Sequence, residues 1–357
     1  MAETKKKPVR KKKQQDTWLR RHSLGVMTAV IAVVAAFIAL LSFAFIPYTG
    51  GHEDGGDWVY VPHGATPPQV HDSLRTSLGS SMGNRVYILW KLMGSSPQRT
   101  EGAYRINAGQ SALSIARRMS TGRQTPVQVT FNGTRTMPML AERIASQLQC
   151  SPEQFMDACR EVLPDRGFSE ATFPAAFIPD TYEFYWSASP ENVVRRLLDY
   201  RDKFWNDDRV AKAKALGLSK VEVATVASII EEETAKKDER PMVASLYLNR
   251  LHKGMRLQAD PTVKFAVGDF SLRRIKGEHL KKVSPYNTYM VNGLPPGPIR
   301  VPTASAMDDV LNAPAHNYIY MCAKEDFSGY HNFAVDYSTH LANARRYQQE
   351  LNRRNIR

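Results

Sequence analysis

Hydrophobic positions along the chain fall into three regimes. Residues 24–46 are apolar without a break: 23 residues carrying no charge and rich in Val, Ala, Leu, Ile and Phe. At about 1.5 Å of rise per residue, a helix of that length covers the roughly 30 Å hydrocarbon core of a bilayer. One membrane-spanning helix is expected there. From residue 58 the pattern breaks into short pieces. WVYVP alternates as a strand, and a helix is expected over 68–78, with Thr66 able to cap it and Pro in its first turn. Residues 103–106 read as a second strand, 111–120 as a helix opened by Ser111, and PVQVTF at 126–131 as a third strand. Residues 58–131 are therefore expected to form a small α+β module.

The third regime has helical periodicity. Over 132–219 it predicts helices at 137–148, at 152–160 after a capping Ser151, and along an amphipathic stretch at 190–216. Between them lies FIPDTYEFYW (177–186), an aromatic run that reads chiefly as core. Carbohydrate sites also use aromatic faces, so Tyr182, Tyr185 and Trp186 stand as secondary candidates for ligand contact. Residues 220–357 crowd polar groups between Gly/Pro turns and form the expected catalytic core with a C-terminal helix. Its first helix, VEVATVASIIEEET (221–234), has an apolar stripe of Val223, Val226, Ala227 and Ile230 beside a stripe of small residues, Ala224, Ser228 and Ala235, that also carries Glu231. A carboxyl held beside close-packed structure has a raised pKa, as a general acid requires. The competing reading of the EEE run is a solvated helix face, and periodicity alone does not choose among its three members.

Charge changes the picture at the front of the chain. The 357 residues include 48 Lys+Arg and 35 Asp+Glu, a net charge of +13, and residues 1–21 hold nine basic and two acidic residues, or +7 of that total. After Arg21 the next Lys or Arg is Arg75. Because cytoplasmic flanks collect Lys and Arg, residues 1–23 are expected to be a cytoplasmic tail, 24–46 an uncleaved anchor, 47–57 a Gly-rich acidic linker, and the rest extracytoplasmic. A cleaved signal peptide would have a shorter apolar region and a better cleavage site. A nucleic-acid partner rests on the tail alone and is not expected, since the tail abuts the span.

Cysteine and motif arithmetic removes other classes. Three Cys among 357 residues exclude a disulfide-stapled miniprotein, although Cys150 and Cys159 could pair; Cys322 reads as a small buried side chain. No Ser-x-x-Lys or His-Glu-x-x-His occurs. His316, His331 and His340 match no compact ligand set, so no metal and no cofactor are expected. Gln258, Asn287 and Thr288 are uncharged hydrogen-bonding groups near Tyr286 and Tyr289, which suits a neutral polar polymer such as a glycan. The alternative for each is local turn chemistry.

These residues carry a resemblance. VASIIEEET, KDERPMVASLYLNRLHKGMRLQADPTV, PYNTYMVNGLPPGPI and HNFAVDYSTH occur in order and closely resemble the membrane-anchored endolytic murein transglycosylases, the YceG-like family. YRINAGQSALSIARRMSTG also resembles the glycan-binding LysM module. The resemblance implies a bacterial inner-membrane lyase that cuts nascent peptidoglycan strands internally, leaves 1,6-anhydro-N-acetylmuramic acid ends and works beside peptidoglycan synthases. It places the acid/base on Glu231 and a second family glutamate on Glu233; in such a site Gln258 and Asn287 would hold the sugar, Asp260 would orient that site, and Tyr286 and Thr288 are further candidates for substrate contact. One departure is RVPTAS at 300–305, where the family often has an Asn-Pro pair. A single carboxyl suffices for such a reaction, because the sugar's own 6-hydroxyl attacks C1. The reading from another class is a non-catalytic, membrane-tethered peptidoglycan-binding scaffold.

Overall fold

The computed structural model describes residues 15–50, 56–272 and 275–354. The basic run at 1–14 and the middle of the linker, 51–55, lie outside the described residues. The fold mixes helices with three small antiparallel sheets, as the α+β expectation has it, and the chain divides into two units, Met1–Thr125 and Pro126–Arg357.

The first unit opens with α1 (Gln15–Phe45), whose segment Gly25–Phe45 has a mean hydropathy of 2.7 and is long and apolar enough to cross a membrane. Its side chains Val26, Val33, Phe37 and Leu40 are exposed, as a lipid-facing helix presents them. The chain leaving this helix is tied directly to the unit: the Tyr48 N–H donates to the Gln110 carbonyl and the Gly109 N–H to the Tyr48 carbonyl, each at 2.8 Å. There follow β1 (Asp57–Val61), α2 (Pro67–Leu92), α3 (Pro97–Thr100), β2 (Gly102–Ile106) and α4 (Ala112–Ser120). β1 and β2 pair antiparallel with Val59 opposite Tyr104. Their inward residues pack on Leu74, Trp90, Ile115 and Met119.

The helix expected over 68–78 runs on to Leu92. Gly79, at φ 77, kinks it, yet Val70, Leu74, Leu78, Met82, Val86 and Trp90 keep a four-residue spacing on both sides and are all buried. A breaker thus hides inside an unbroken apolar stripe. The strand expected to close the first module does not do so. β3 (Val127–Phe131) lies in the second unit and pairs with β4 (Asp180–Phe184), Val129 opposite Tyr182, while β1 takes the place beside β2. The unit boundary therefore falls before the expected residue 131.

The second unit continues through α5 (Met137–Ala145), α6 (Pro152–Val162), β4, α7 (Pro190–Phe204), α8 (Asp207–Ala215), α9 (Lys220–Glu233) and α10 (Arg240–His252). It ends with α11 (Asp260–Val267), α12 (Gly277–Leu280), α13 (Ala304–Leu311), β5 (Tyr320–Ala323), β6 (His331–Ala334) and α14 (Tyr337–Arg353). The stretch expected as one helix over 190–216 is two, because Asn206 accepts the Arg209 N–H at 3.0 Å and starts α8 afresh. The aromatic run is core where it is strand. Tyr182 is buried, stacks on Phe131 with centroids 5.6 Å apart, and donates its hydroxyl to the Ile178 carbonyl, whereas Tyr185 is exposed. Cys150 and Cys159 are separate buried thiols.

Ser219 opens α9 with a capping box to Glu222. Every residue from Val223 to Glu231 is buried, so α9 is enclosed on all sides rather than along one stripe. α8, α10, α11 and α13 pack around it. The Pro-rich loop closes over its C-terminal half: Ser228 Oγ accepts the Ile299 N–H at 3.0 Å.

Two glycines of that loop separate two kinds of constraint. Gly293 has φ 80 but open space around it, while a Cβ on Gly297 would lie 1.9 Å from the Ala171 carbonyl oxygen. Gly293→Ala should cost about 1–2 kcal/mol, the left-handed penalty. Gly297→Ala should reach or exceed the upper end of the about 1–3 kcal/mol of overpacking, because the obstructing atom is backbone. Urea denaturation of both variants checks the order; equal losses would contradict it.

Candidate active site

Successive residues of an α-helix turn by about 100°, and the last three residues of α9 accordingly meet three environments. Glu231 is turned into the protein, its side chain 4% exposed. Its carboxylate accepts the Thr303 N–H at 3.0 Å and the Thr303 hydroxyl at 2.8 Å, with Arg240 at 3.8 Å and Arg300 at 3.7 Å. Thr303 is also the N-cap of α13, so Glu231 lies at a helix N-terminus, where negative charge is favoured. Glu232 takes a bidentate bond from Arg135, at 3.0 and 2.9 Å, and a third from Arg300 at 2.9 Å.

Glu233 alone among the three lines a polar cleft of the second unit, about 450 Å³ in volume. The cleft lies between α9, α10 and the start of α11 on one side and β5, β6 and α14 on the other. The Tyr247 hydroxyl is bonded to the Glu233 carboxyl, and Glu233 Oε2 is buried with no hydrogen-bond partner among the described residues. Burial first, and then the charge of Asp260, push the Glu233 carboxyl from 4.5 up to about 7. Its place at the C-terminus of α9 acts in the same direction. At neutral pH this group exists in both forms, the condition for giving and taking a proton in one cycle.

The other residues expected in a site divide into lining and support. Gln258 and Asp260 line the cleft; Tyr286, Asn287 and Thr288 do not. Gln258 sits at φ 51, a left-handed conformation costly for a residue with a Cβ, and its Oε1 accepts Arg250 Nη2 at 2.7 Å. Thr288 holds that strained segment: its carbonyl accepts the Gln258 N–H at 3.1 Å and its hydroxyl the Ala259 N–H at 3.0 Å. Asn287 is fully buried, donating to the Leu280 and Lys282 carbonyls at 2.9 and 2.7 Å and accepting the Tyr289 N–H at 3.1 Å. Local turn chemistry is thus what Asn287 and Thr288 perform. Tyr286 packs on Phe265, and Tyr182, Tyr185 and Trp186 also lie outside the cleft.

Several lining residues escape the pattern. Tyr289 donates to Asp260 Oδ1 at 2.7 Å, and His331 Nδ1 lies 2.9 Å from Glu239 Oε2, whose other oxygen accepts the His331 N–H at 2.6 Å. Tyr247, Arg250, Tyr320 and His340 complete the polar wall. Tyr247 and Arg250 stand one turn apart on α10, a spacing that was the available signal. Cys322, expected to be buried, is partly exposed and lines the cleft.

Residues 59–346 match the sequence profile of the YceG-like family, most of the chain. The chain belongs to the YceG-like family. Relatives include an endolytic murein transglycosylase of Bacillus subtilis (strain 168), 26% identical over 288 residues that cover 75% of this chain and 79% of that protein. Another, of the same name, from Streptococcus pneumoniae serotype 2 (strain D39 / NCTC 7466), is 30% identical over 149 residues, 41% of this chain and 27% of the relative. Among solved structures, a YceG-like protein from Listeria monocytogenes has the same fold at a TM-score of 0.53 and 23% identity, covering 80% of this chain and 97% of that one.

The different surroundings of Glu231 and Glu233 in this YceG-like chain give opposite stability effects. Glu231→Gln leaves Arg240 without its carboxylate partner, although Arg300 keeps Glu232, and should cost on the order of 3 kcal/mol. Glu233 has a folded-state pKa above its ordinary 4.5, so its ionisation takes stability away as pH rises from there through about 7. Glu233→Gln should therefore melt no lower than the parent at pH 5 and higher at pH 8. Thermal melts of both variants at the two pH values test this, and a lower melting temperature for Glu233→Gln at pH 8 would refute the environment assigned to it.

Proposed function

We propose that this protein is an endolytic lytic transglycosylase of peptidoglycan whose general acid/base is Glu233. The reading rests on one observation above the others: a buried carboxyl, poised near neutral pH with one oxygen unpartnered, faces a polar, tyrosine-lined cleft in a family whose relatives carry that activity in their names. The sequence motif favours Glu231, but that carboxylate is fully engaged by Thr303 and two arginines and lines no part of the cleft.

In the proposed reaction protonated Glu233 gives its proton to the oxygen between N-acetylmuramic acid and N-acetylglucosamine, and the C1–O bond breaks. The muramyl 6-hydroxyl then bonds to C1, and the Glu233 carboxylate takes the 6-hydroxyl proton. The products are a 1,6-anhydro-muramyl end and a free N-acetylglucosamine 4-hydroxyl, and the glutamic acid is regenerated. No water is activated, so the second carboxylate of a hydrolase is not required. Tyr247 steadies the carboxyl, and Asp260, held by Tyr289, keeps its pKa high. The apolar helix at the N-terminus would anchor the protein in the inner membrane once, tail in the cytoplasm and cleft outside, beside the synthases that supply strands. Glycan contact by the LysM-like first unit belongs to the same proposal.

The full-length chain and its Glu233→Gln variant, each incubated with uncrosslinked peptidoglycan strands, should differ by at least about 10³-fold in anhydro-muramyl ends seen by mass spectrometry, within the range of lost acid/base catalysis. Reducing ends would mean hydrolysis, and equal activity of the two proteins would favour a scaffold that carries a different catalyst. The pH profile gives a second test. Because the acid form begins the cycle, kcat should fall as pH rises through about 7. Asp260→Asn removes a like charge, eases ionisation of Glu233 and should move that limb to lower pH; a limb that stays put removes Asp260 from the electrostatics.

A further inference from the structure

We propose that the Arg250 end of the cleft is a carboxylate subsite that takes an acidic group borne by the muramyl residue of the strand, an inference that rests on the glycan-strand reading above. Arg250 is 9% exposed and presents five N–H donors. Its Nη2 donates to Gln258 Oε1, and its guanidinium lies 5.8 Å from the Tyr320 ring centroid. Its Nε is buried with no partner among the described residues. No described carboxylate lies within ion-pairing distance of it, although Glu233 and Asp260 line the same cleft; the groups acting on its charge are the hydroxyls of Tyr247, Tyr320 and Tyr289.

A cation withdrawn from water costs several kcal/mol unless a counter-charge or a full set of acceptors compensates. Arg201, buried to a similar degree in this unit, has a counter-charge: it bonds Asp202 at 3.1 Å as well as the Ala175 carbonyl at 2.9 Å. Arg250 has neither in full. A second unpartnered atom lies at the same end, because His340 Nδ1 is buried with no hydrogen-bond partner among the described residues and its ring stacks on Tyr320 at 5.2 Å. Burial, with Arg250 nearby, holds His340 below its ordinary pKa, so it acts as a neutral hydrogen-bonding group beside a single cation. Arg250 and His340 both line the cleft. An anion with two oxygens would satisfy them together, since a guanidinium binds a carboxylate in a fork.

The cleft is thus polar in two senses, acidic at Glu233 and Asp260 and cationic at Arg250. A strand of alternating sugars meets that asymmetry with one residue in two, since muramic acid carries a 3-O-lactyl group that N-acetylglucosamine lacks. Stripped of peptide, the lactyl group is itself a carboxylate. With peptide attached, the carboxylates lie along the stem.

The test uses the full-length Glu233→Gln protein, which holds strands without turning them over. It is titrated calorimetrically with a peptide-free GlcNAc–MurNAc tetrasaccharide, the same tetrasaccharide bearing stem peptides, and chitotetraose. At least one muramyl probe should bind tenfold or more tighter than chitotetraose, and added Arg250→Gln should abolish that margin while leaving chitotetraose affinity in place. Arg250→Lys should restore part of it. Tighter binding of the peptide-free probe assigns the lactyl carboxylate, and of the peptide-bearing probe the stem. Should Arg250→Gln fail to fold, the margin in the parent must still shrink with added salt while chitotetraose binding does not move. Equal affinities for all three probes, no muramyl binding, or an equal loss for chitotetraose on Arg250→Gln would overturn the subsite. None of these readouts uses turnover, so a protein that cleaves nothing would sink the transglycosylase reading and leave this measurement standing.

Discussion

A helix buried on every side has no inexpensive place to put a carboxylate, and α9 ends in three of them. Much of the second unit is arranged around that constraint. The 100° turn per residue sends the three side chains apart, and the surroundings supply cation and donor where they are needed: Thr303, Arg240 and Arg300 for Glu231, Arg135 and Arg300 for Glu232. Arg300 serves both. Glu233 receives a phenol that favours its charge, but burial and then a neighbouring carboxylate outweigh it, and the result is a proton held near neutrality. The stabilised pair and the destabilised third residue follow from one packing decision, in which rigidity for the helix end is supplied by the first two and reactivity is left to the last.

Support for the cleft is built the same way, from side chains that never touch it. Thr303 caps α13 and grips Glu231 with one hydroxyl, so the loop's exit and the helix end hold each other in register. Ser228 ties the middle of α9 to Ile299, and Gly297 lets the loop lie against the Ala171 carbonyl. Thr288 and Asn287 then fix the segment carrying Gln258 in its left-handed turn. A strained residue persists only where neighbours over-determine it. Here those neighbours are the polar loop residues that the sequence presents as if they were ligands.

That is also why the fold was more legible than the site. Caps at Ser111 and Ser151, and the alternation of Val127, Val129 and Phe131, locate elements because local chemistry decides them. The partner of β3 was not legible, since pairing with β4 across some fifty residues is a tertiary choice. Nor was the kink at Gly79, masked by apolar residues spaced every fourth position. Within EEE the sequence offers identity and a family motif but not direction. Direction depends on Thr303, Arg135 and Arg300, which lie 72, 97 and 68 residues away from their glutamate partners. Asn287 reads as a ligand because its burial and its bonds to carbonyl oxygens are invisible in one dimension.

Two carboxyls, Glu233 and Asp260, share the cleft, and such a pair is also the signature of a glycoside hydrolase. Their surroundings argue for unequal roles. Asp260 spends one oxygen on Tyr289, opens α11, where the helix dipole favours its charge, and acts on Glu233 as a fixed negative neighbour. Glu233 is the group whose proton is mobile at neutral pH, and one of its oxygens is buried with no hydrogen-bond partner among the described residues. A hydrolase needs the second carboxylate to activate water or attack carbon. A lytic reaction asks it only to remain charged, close enough to hold the acid's proton in place and to favour the positive charge that develops at C1. In the reaction proposed above, Asp260, tied to Tyr289, meets the lesser requirement with no rearrangement of the cleft.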